Sequence, residues 1–278
     1  MTVPYAEVIG DPVDHSKSPV IHKFWLDKLG IEADYRRTRV TAVELASFIA
    51  TRRSDPAWCG CNVTIPHKQA VMPLLDDNRD AGIGAVNCIL PVGEKLVGRN
   101  TDKAAVDRIL SESFGPGVTI AHPVCLLGSG GAARAAMAAL RESSVGFVNV
   151  VVRQRTKGES LLKAFAMAGA VYEIDDAPKA LSDALGLINA TPLGMIGAPA
   201  MPDSVLSAMD AMHRDAFVFD MVYAPRWTDL LESAARLGLD VVDGLEMLIA
   251  QAREAFSLFF ASEPPEAVPS ELRELLTR

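Results

Sequence analysis

Residues 123–142, PVCLLGSGGAARAAMAALRE, restrict the possible fold more than any other stretch of the chain. PVCLL reads as a buried strand, glycines at 128, 130 and 131 break it, and an alanine-rich run follows that reads as a helix. A strand that passes through a short glycine turn directly into a helix belongs to an α/β layer with parallel pairing. Gly128, Gly130 and Ala133 fit G-x-G-x-x-[G/A] in the strand–turn–helix setting where that pattern binds dinucleotides. Glycines there let the backbone approach a pyrophosphate, whose charge is met by the free N–H groups of the helix N-terminus. A glycine turn that is only a tight connection is the competing reading, and the strand–loop–helix context favours the dinucleotide.

The next strand selects the dinucleotide. An NAD site calls for a carboxylate at its end to bind the ribose 2′-hydroxyl. Here FVNVVV runs into RQRTK, with Arg153, Arg155 and Lys157 and no acidic residue. Guanidinium groups match a 2′-phosphate, so the turn predicts NADP. Any one of these cations could be merely solvated, but three at this strand end form a pattern.

The rest of the chain alternates strand and helix signals. At 278 residues and 49% hydrophobic it has enough chain and apolar content for two domains. AEVIG is a strand, and SPVIHKFWLDKL is a helix with Ser18 as its cap, Pro19 in its first turn and Gly30 as its stop. DYRRTRV, a helical VELASFIATRR, the strand CGCNVTI, a helix from His67 and the strand AVNCILPV complete a first section expected to pair mostly in parallel. After the glycine loop, FVNVVV, LGLINAT, AFVFDMVY and LDVVDG read as further strands. The final helix has apolar residues at 245, 248, 249, 252, 256 and 259, one stripe at helical spacing. The expected architecture is two α/β domains with a cleft between them.

Net charge and cysteine usage narrow the function classes. A net charge of −8 argues against nucleic-acid and membrane-surface partners, which want a basic face. No apolar run reaches the ~20 residues that span a bilayer, and MTVPYAEVIG lacks signal-peptide anatomy. Cys59, Cys61, Cys88 and Cys125 are scattered without a CxxC pair, so they read as reduced core residues of a cytoplasmic protein with no metal site.

NVTIPHK, residues 62–68, places Lys68 on a rigid corner just past a short strand that Pro66 terminates. That motif, with VIGDPVDHSKSP, GAVN, NTD, GSGGAAR, NATPLGM, DMVY and DGLEMLIAQA in the same order, resembles the shikimate dehydrogenase family nearly end to end. The resemblance implies a substrate domain over residues 1–102, a Rossmann NADP domain over 103–243, and C-terminal helices over 244–278 that return to the first domain. It implies reversible reduction of 3-dehydroshikimate to shikimate with NADP, in a monomer or homodimer. Lys68 matches the catalytic lysine and Asp102 its partner. Ser16, Ser18, Thr64, Asn87, Tyr223 and Gln251 match substrate contacts. Gly128, Ser129, Gly130, Gly131, Ala132, Gln154, Arg155, Thr156, Met221 and Gly244 match cofactor contacts.

These roles are chemically coherent. Hydride reduction of a ketone leaves charge on oxygen, which a nearby ammonium can steady and protonate. A free lysine titrates near 10.4, and an adjacent Asp102 would favour its charged form. Ser16 and Ser18 can hold a carboxylate at a helix N-terminus without an arginine. Ser18 and Asp102 could also be simple helix caps, Tyr223 and Asn87 simple structural hydrogen-bonders, and His15 and His67 local turn formers. The chain departs from the family pattern at Cys88, at Arg99 and at Lys103, around the expected substrate wall. Quinate or aminoshikimate therefore stand as alternative substrates, and a non-catalytic dinucleotide sensor as an alternative function that the Lys68–Asp102 pair argues against.

Overall fold

Short apolar strands alternating with helices build two separate six-stranded sheets. The computed structural model describes residues 2–114, 121–143, 145–265 and 270–277. It divides into one unit made of Met1–Thr101 with Ile249–Arg278 and another made of Asp102–Leu248.

The first unit runs through β1 (Tyr5–Gly10), α1 (Ser18–Leu29), β2 (Asp34–Arg39), α2 (Leu45–Arg53), β3 (Trp58–Val63), α3 (His67–Ala70), β4 (Asp77–Asn78), β5 (Cys88–Val92) and β6 (Lys95–Arg99). Its strand order is β2-β1-β3-β5-β6-β4. β1 pairs in parallel with β2 and β3, and β4 with β6, but β3–β5 and β5–β6 are antiparallel. The sheet is therefore mixed, with three of its five pairs parallel, in keeping with the mostly parallel pairing that the alternation predicts. The antiparallel β5–β6 pair is a hairpin at Gly93–Glu94, where Gly93 takes a φ of 60° that glycine reaches without strain.

α1 corrects the reading of its own start. Val20 and Ile21 both donate to the carbonyl of Lys17, at 3.0 and 3.3 Å, so the helix is under way before the Ser18 hydroxyl could cap it. Ser18 is the first helical residue, and its N–H donates to Ser16 Oγ at 3.3 Å. The cap-like acceptor is thus Ser16. Gly30 ends the helix with a φ of 64°, as expected of a left-handed C-terminal glycine.

α4 (Thr101–Phe114) opens the second unit, which continues through β7 (Val124–Leu127), α5 (Gly131–Glu142), β8 (Val148–Val152), α6 (Arg155–Phe165), β9 (Gly169–Glu173), α7 (Ala177–Leu181), β10 (Gly186–Asn189), α8 (Asp203–Leu206), β11 (Phe217–Asp220), α9 (Asp229–Arg236) and β12 (Asp240–Val242). Every pairing is parallel, in the order β12-β11-β10-β7-β8-β9. β7, β8, β10 and β11 are buried along their full lengths, as strands covered on both faces must be.

α10 (Gly244–Phe260) and α11 (Ser270–Thr277) close the chain. The apolar stripe of α10 is buried at all six predicted positions. In the first unit, Phe256 and Phe259 pack around His22 of α1, whose ring stacks on Tyr35 at 3.9 Å and 7°. His22 is fully buried, and neither ring nitrogen has a polar partner among the described residues.

Burial pushes the His22 imidazole down to about 3 from an ordinary 6.5. The unfolded chain therefore binds this proton first, so the neutral ring is fully compatible with folding above 6.5, and stability is lost as pH falls from there toward about 3. One such group contributes a slope of about 1.4 kcal/mol per pH unit. His22→Phe should remove that component, seen as a shallower fall of urea midpoint with acidification than in the unsubstituted protein.

Candidate active site

In an open α/β sheet, ligands bind beyond the carboxyl ends of the strands at the point where strand order reverses. In the first unit that point lies between β1 and β3, where the segments after these two strands meet. Thr64 donates to the carbonyl of Ile9 at 2.9 Å, and Asp11 to the carbonyl of Ile65 at 3.0 Å. A Cβ at Gly10 would lie 2.4 Å from Thr64 Cγ2 and 2.9 Å from the Ile65 carbonyl oxygen, so only glycine allows this approach. His67 does more than shape a local turn. Its Nε2 lies 2.6 Å from the carbonyl of Val40, tying α3 to the chain after β2. The carbonyl of Lys68 accepts from Val86 at 2.7 Å. The lysine thus stands, partly exposed, on a corner bonded to β1, to the end of β2 and to residue 86.

Asn87 is the hub beside it, and it is buried. Its N–H donates to Arg99 at 3.1 Å, and its carbonyl accepts from Val63 at 2.8 Å and from the Asn62 amide at 3.2 Å. Its side chain donates to Thr101 Oγ1 at 3.0 Å and accepts the Thr101 N–H at 2.7 Å. Thr101 Oγ1 in turn donates to Gln251 Oε1 at 3.5 Å. Asn87 Nδ2 still has one N–H and Oδ1 one lone pair for another partner. These bonds also correct the reading of Asp102 as a possible N-cap. α4 starts at Thr101, its first N–H is taken by Asn87, and Asp102 is a buried carboxylate inside the first turn. Of the predicted substrate residues, Ser16, Ser18, Thr64, Asn87 and Gln251 fall in the first unit with Lys68, and Tyr223 falls in the second with Asp102.

In the second unit the order reverses between β7 and β10. Gly128 follows β7 with a φ of 107°, and a Cβ there would sit 2.9 Å from Thr191 Cγ2. Gly130 is different. Its φ of −80° suits any residue, and a Cβ would meet nothing within 4 Å. Neither strain nor packing requires glycine at 130, and the backbone there is open to a ligand. α5 begins there without a side-chain cap, so Gly131 and Ala132 present a helix N-terminus suited to a pyrophosphate.

The 2′-phosphate reading of RQRTK meets exposed side chains from Arg153 to Lys157. Arg153 and Gln154 form the bend after β8, and Arg155 to Lys157 open α6. Gln154 precedes α6 without a side-chain capping bond, and Arg155 is its first residue, bonded to Glu159 at 3.1 Å and to the Val171 carbonyl at 3.0 Å. Met221 follows β11 and donates to Asn189 at 3.0 Å. A Cβ at Gly244 would come within 2.5 Å of the Val222 carbonyl oxygen, so that glycine lets the start of α10 lie against this segment.

Two polar residues at the ends of these segments escape the sequence reading. Thr101 is one, although NTD contains it. Asp220 is the other: fully buried, it accepts from Thr228 at 2.6 Å, Val222 at 3.0 Å and Asn189 at 2.9 Å, and so holds the segment carrying Met221 and Tyr223. Burial pushes its carboxyl above the ordinary range. Among the described residues, no group of three or more His, Cys, Asp or Glu side chains could hold a metal ion, and no helix is long and apolar enough to cross a membrane.

Residues 8–89 match the model of the shikimate dehydrogenase substrate binding domain. Over 277 residues the chain is 50% identical to an NADP(+) shikimate dehydrogenase of Sphingopyxis alaskensis, covering 98% of this chain and 97% of the relative. The chain belongs to the shikimate dehydrogenase family. The fold of the family is visible in solved structures as well. Shikimate 5-dehydrogenase from Thermus thermophilus, in complex with NADP(H) and shikimate, superposes with a TM-score of 0.79 at 32% identity, over 99% of this chain and 98% of that one. Quinate dehydrogenase from Corynebacterium glutamicum, in complex with NAD, gives 0.82 at 29%, over 98% of each. The second sheet is the Rossmann sheet of this two-domain family.

The two loop glycines should separate in experiment. Gly128→Ala forces a left-handed φ and a clash, and should cost about 1–3 kcal/mol of stability. Gly130→Val should leave the melting temperature within about 2 °C of the unsubstituted protein. If a pyrophosphate lies against the α5 N-terminus, the same substitution should nevertheless raise the KM for the dinucleotide about tenfold or more, because the side chain would occupy that open space. Thermal melts and initial rates on both variants check this.

Proposed function

We propose that the chain is an NADP-dependent shikimate dehydrogenase, reversibly reducing 3-dehydroshikimate to shikimate in the biosynthesis of chorismate and the aromatic amino acids. The observation that carries this reading is half identity to an NADP(+) shikimate dehydrogenase over nearly the whole of both chains. The glycine cradle, the α5 N-terminus and the exposed basic strand end fit the dinucleotide independently. We place the enzyme in the cytoplasm, as a monomer or homodimer.

When bound, the dinucleotide supplies or accepts the hydride. The chain's own residues do the remainder. Lys68, fixed by the backbone bonds of its corner, gives the proton to the ketone oxygen in reduction and takes it back in oxidation. Asp102 is its partner in that proton transfer. Ser16 and Ser18 receive the ring carboxylate at the start of α1. Thr64, Asn87, Gln251 and Tyr223 read the hydroxyls, Asn87 with the polar capacity its structural bonds leave over. Gly128, Ser129, Gly130, Gly131 and Ala132 hold the pyrophosphate, Gln154, Arg155 and Thr156 the 2′-phosphate end, and Met221 and Gly244 the remaining cofactor wall. A dinucleotide-binding sensor has no use for a proton-transfer pair, so retention of Lys68 and Asp102 favours the enzyme.

Turnover of substituted proteins tests the assignment. Lys68→Ala and Asp102→Asn should each lower kcat by about a hundredfold or more, the usual worth of acid–base help. The double substitution should be little worse than the poorer single one, because the two act as a unit. Near-normal turnover in Asp102→Asn would leave Lys68 acting alone. Arg155→Ala should weaken NADP about ten- to a hundredfold while changing NAD little, as loss of a charge-assisted bond does. Equal loss for both dinucleotides would place the 2′-phosphate elsewhere.

A further inference from the structure

Arg99, one of the positions where the chain departs from the family pattern, ends β6 with its side chain 28% exposed. Its Nε lies 3.2 Å from Asp80 Oδ2, the same oxygen that accepts the Asn100 N–H at 2.8 Å. Its terminal nitrogen lies 3.4 Å from Glu254 Oε1. Its own carbonyl accepts the Asn87 N–H at 3.1 Å. Glu254 is on α10, three residues beyond Gln251 and so on the same face.

The contacts close into a ring. From Asn87 they pass through the backbone of Arg99 to its guanidinium, across to Glu254, back along α10 to Gln251, through Thr101, and home to Asn87. Two amides assigned to the substrate, one from before β5 and one from α10 far along the chain, are corners of this ring. The leg from Arg99 to Glu254 completes it. Burial and the nearby Asp80 charge both push the Glu254 carboxyl up, and Arg99 opposes them. Without the guanidinium, the carboxylates of Asp80 and Glu254 would repel, and the turn of α10 that carries Gln251 would be driven from Asn87.

We propose that Arg99 is a positioning residue that sets the spacing between Asn87 and Gln251, and through it the fit of the ring hydroxyls. The inference rests on the shikimate dehydrogenase reading given above. Hydrogen bonds weaken steeply with small losses of distance and angle, and a site built to bond a hydroxyl discriminates sharply when the partner is misplaced. A partly exposed ion pair adds little to stability, so the role appears in substrate binding rather than in folding.

The test is an initial-rate comparison of the unsubstituted protein, Arg99→Met, Glu254→Gln and the double variant, with shikimate and NADP. Each single change should raise the KM for shikimate about tenfold, with kcat within about threefold. The KM for NADP should stay put, and the double variant should be no worse than the worse single one, because both break the same leg. Unmoved shikimate KM values, additive effects, or an equal rise for NADP would overturn the inference. Should Arg99→Met fail to fold, Glu254→Gln carries the comparison by itself. An unsubstituted protein that oxidises none of shikimate, quinate and aminoshikimate overturns the function reading and this inference with it. An active protein with unmoved variants overturns this inference alone.

Discussion

The reciprocal bonding of Asn87 and Thr101 is the constraint on which the substrate side of the molecule rests. Two buried side chains satisfy each other and, at the same time, the first N–H of α4. Each bond adds only about 1 kcal/mol net, whereas leaving such a buried donor or acceptor unmade costs about 1–3 kcal/mol. The asymmetry makes the pair rigid: neither residue can shift without stranding the other. The ends of β3 and β6 also bond the backbone of Asn87, so one residue fixes where two strands stop and one helix begins. Lys68 inherits its position from that frame through Val86, and Gln251 through Thr101.

Both sheets prepare their switch points by the same device, a backbone approach that only glycine permits. Gly10 admits the segment after β3, and Gly128 admits the segment after β10. Gly130, unlike Gly10 and Gly128, has open space where a side chain would project. The carboxylate site proposed at α1 likewise relies on neutral groups. Ser16 and Ser18 are buried neutral donors at a helix start, and the net charge of −8 does not oppose an anion held by local N–H and O–H groups.

What is legible in the sequence is what local pattern controls. The strand–glycine–helix unit, the parallel second sheet, the C-terminal stop of α1 and the buried stripe of α10 all follow from periodicity and glycine placement. The hairpin of β5 and β6 does not, because a two-residue turn beside a proline-containing strand carries a weak signal. The start of α1 lies one residue earlier than its sequence suggests, because Lys17 already takes a helical backbone and its carbonyl accepts the first bonds. Thr101, the Asn189 bond of Asp220 and the reach of His67 to Val40 depend on partners 14 to 150 residues away, beyond what local periodicity reveals. The substrate and cofactor roles come from the order of motifs along the whole chain.

The central claim is the identity of the reaction, and a panel of initial rates tests it most directly. Shikimate, quinate and aminoshikimate would each be offered to the purified protein with NADP and with NAD. Shikimate with NADP should give the highest kcat/KM, ahead of the same acid with NAD by about tenfold or more, as a charge-assisted bond to the 2′-phosphate requires. Failure to oxidise shikimate with NADP, or equal efficiency with NAD, would contradict that claim.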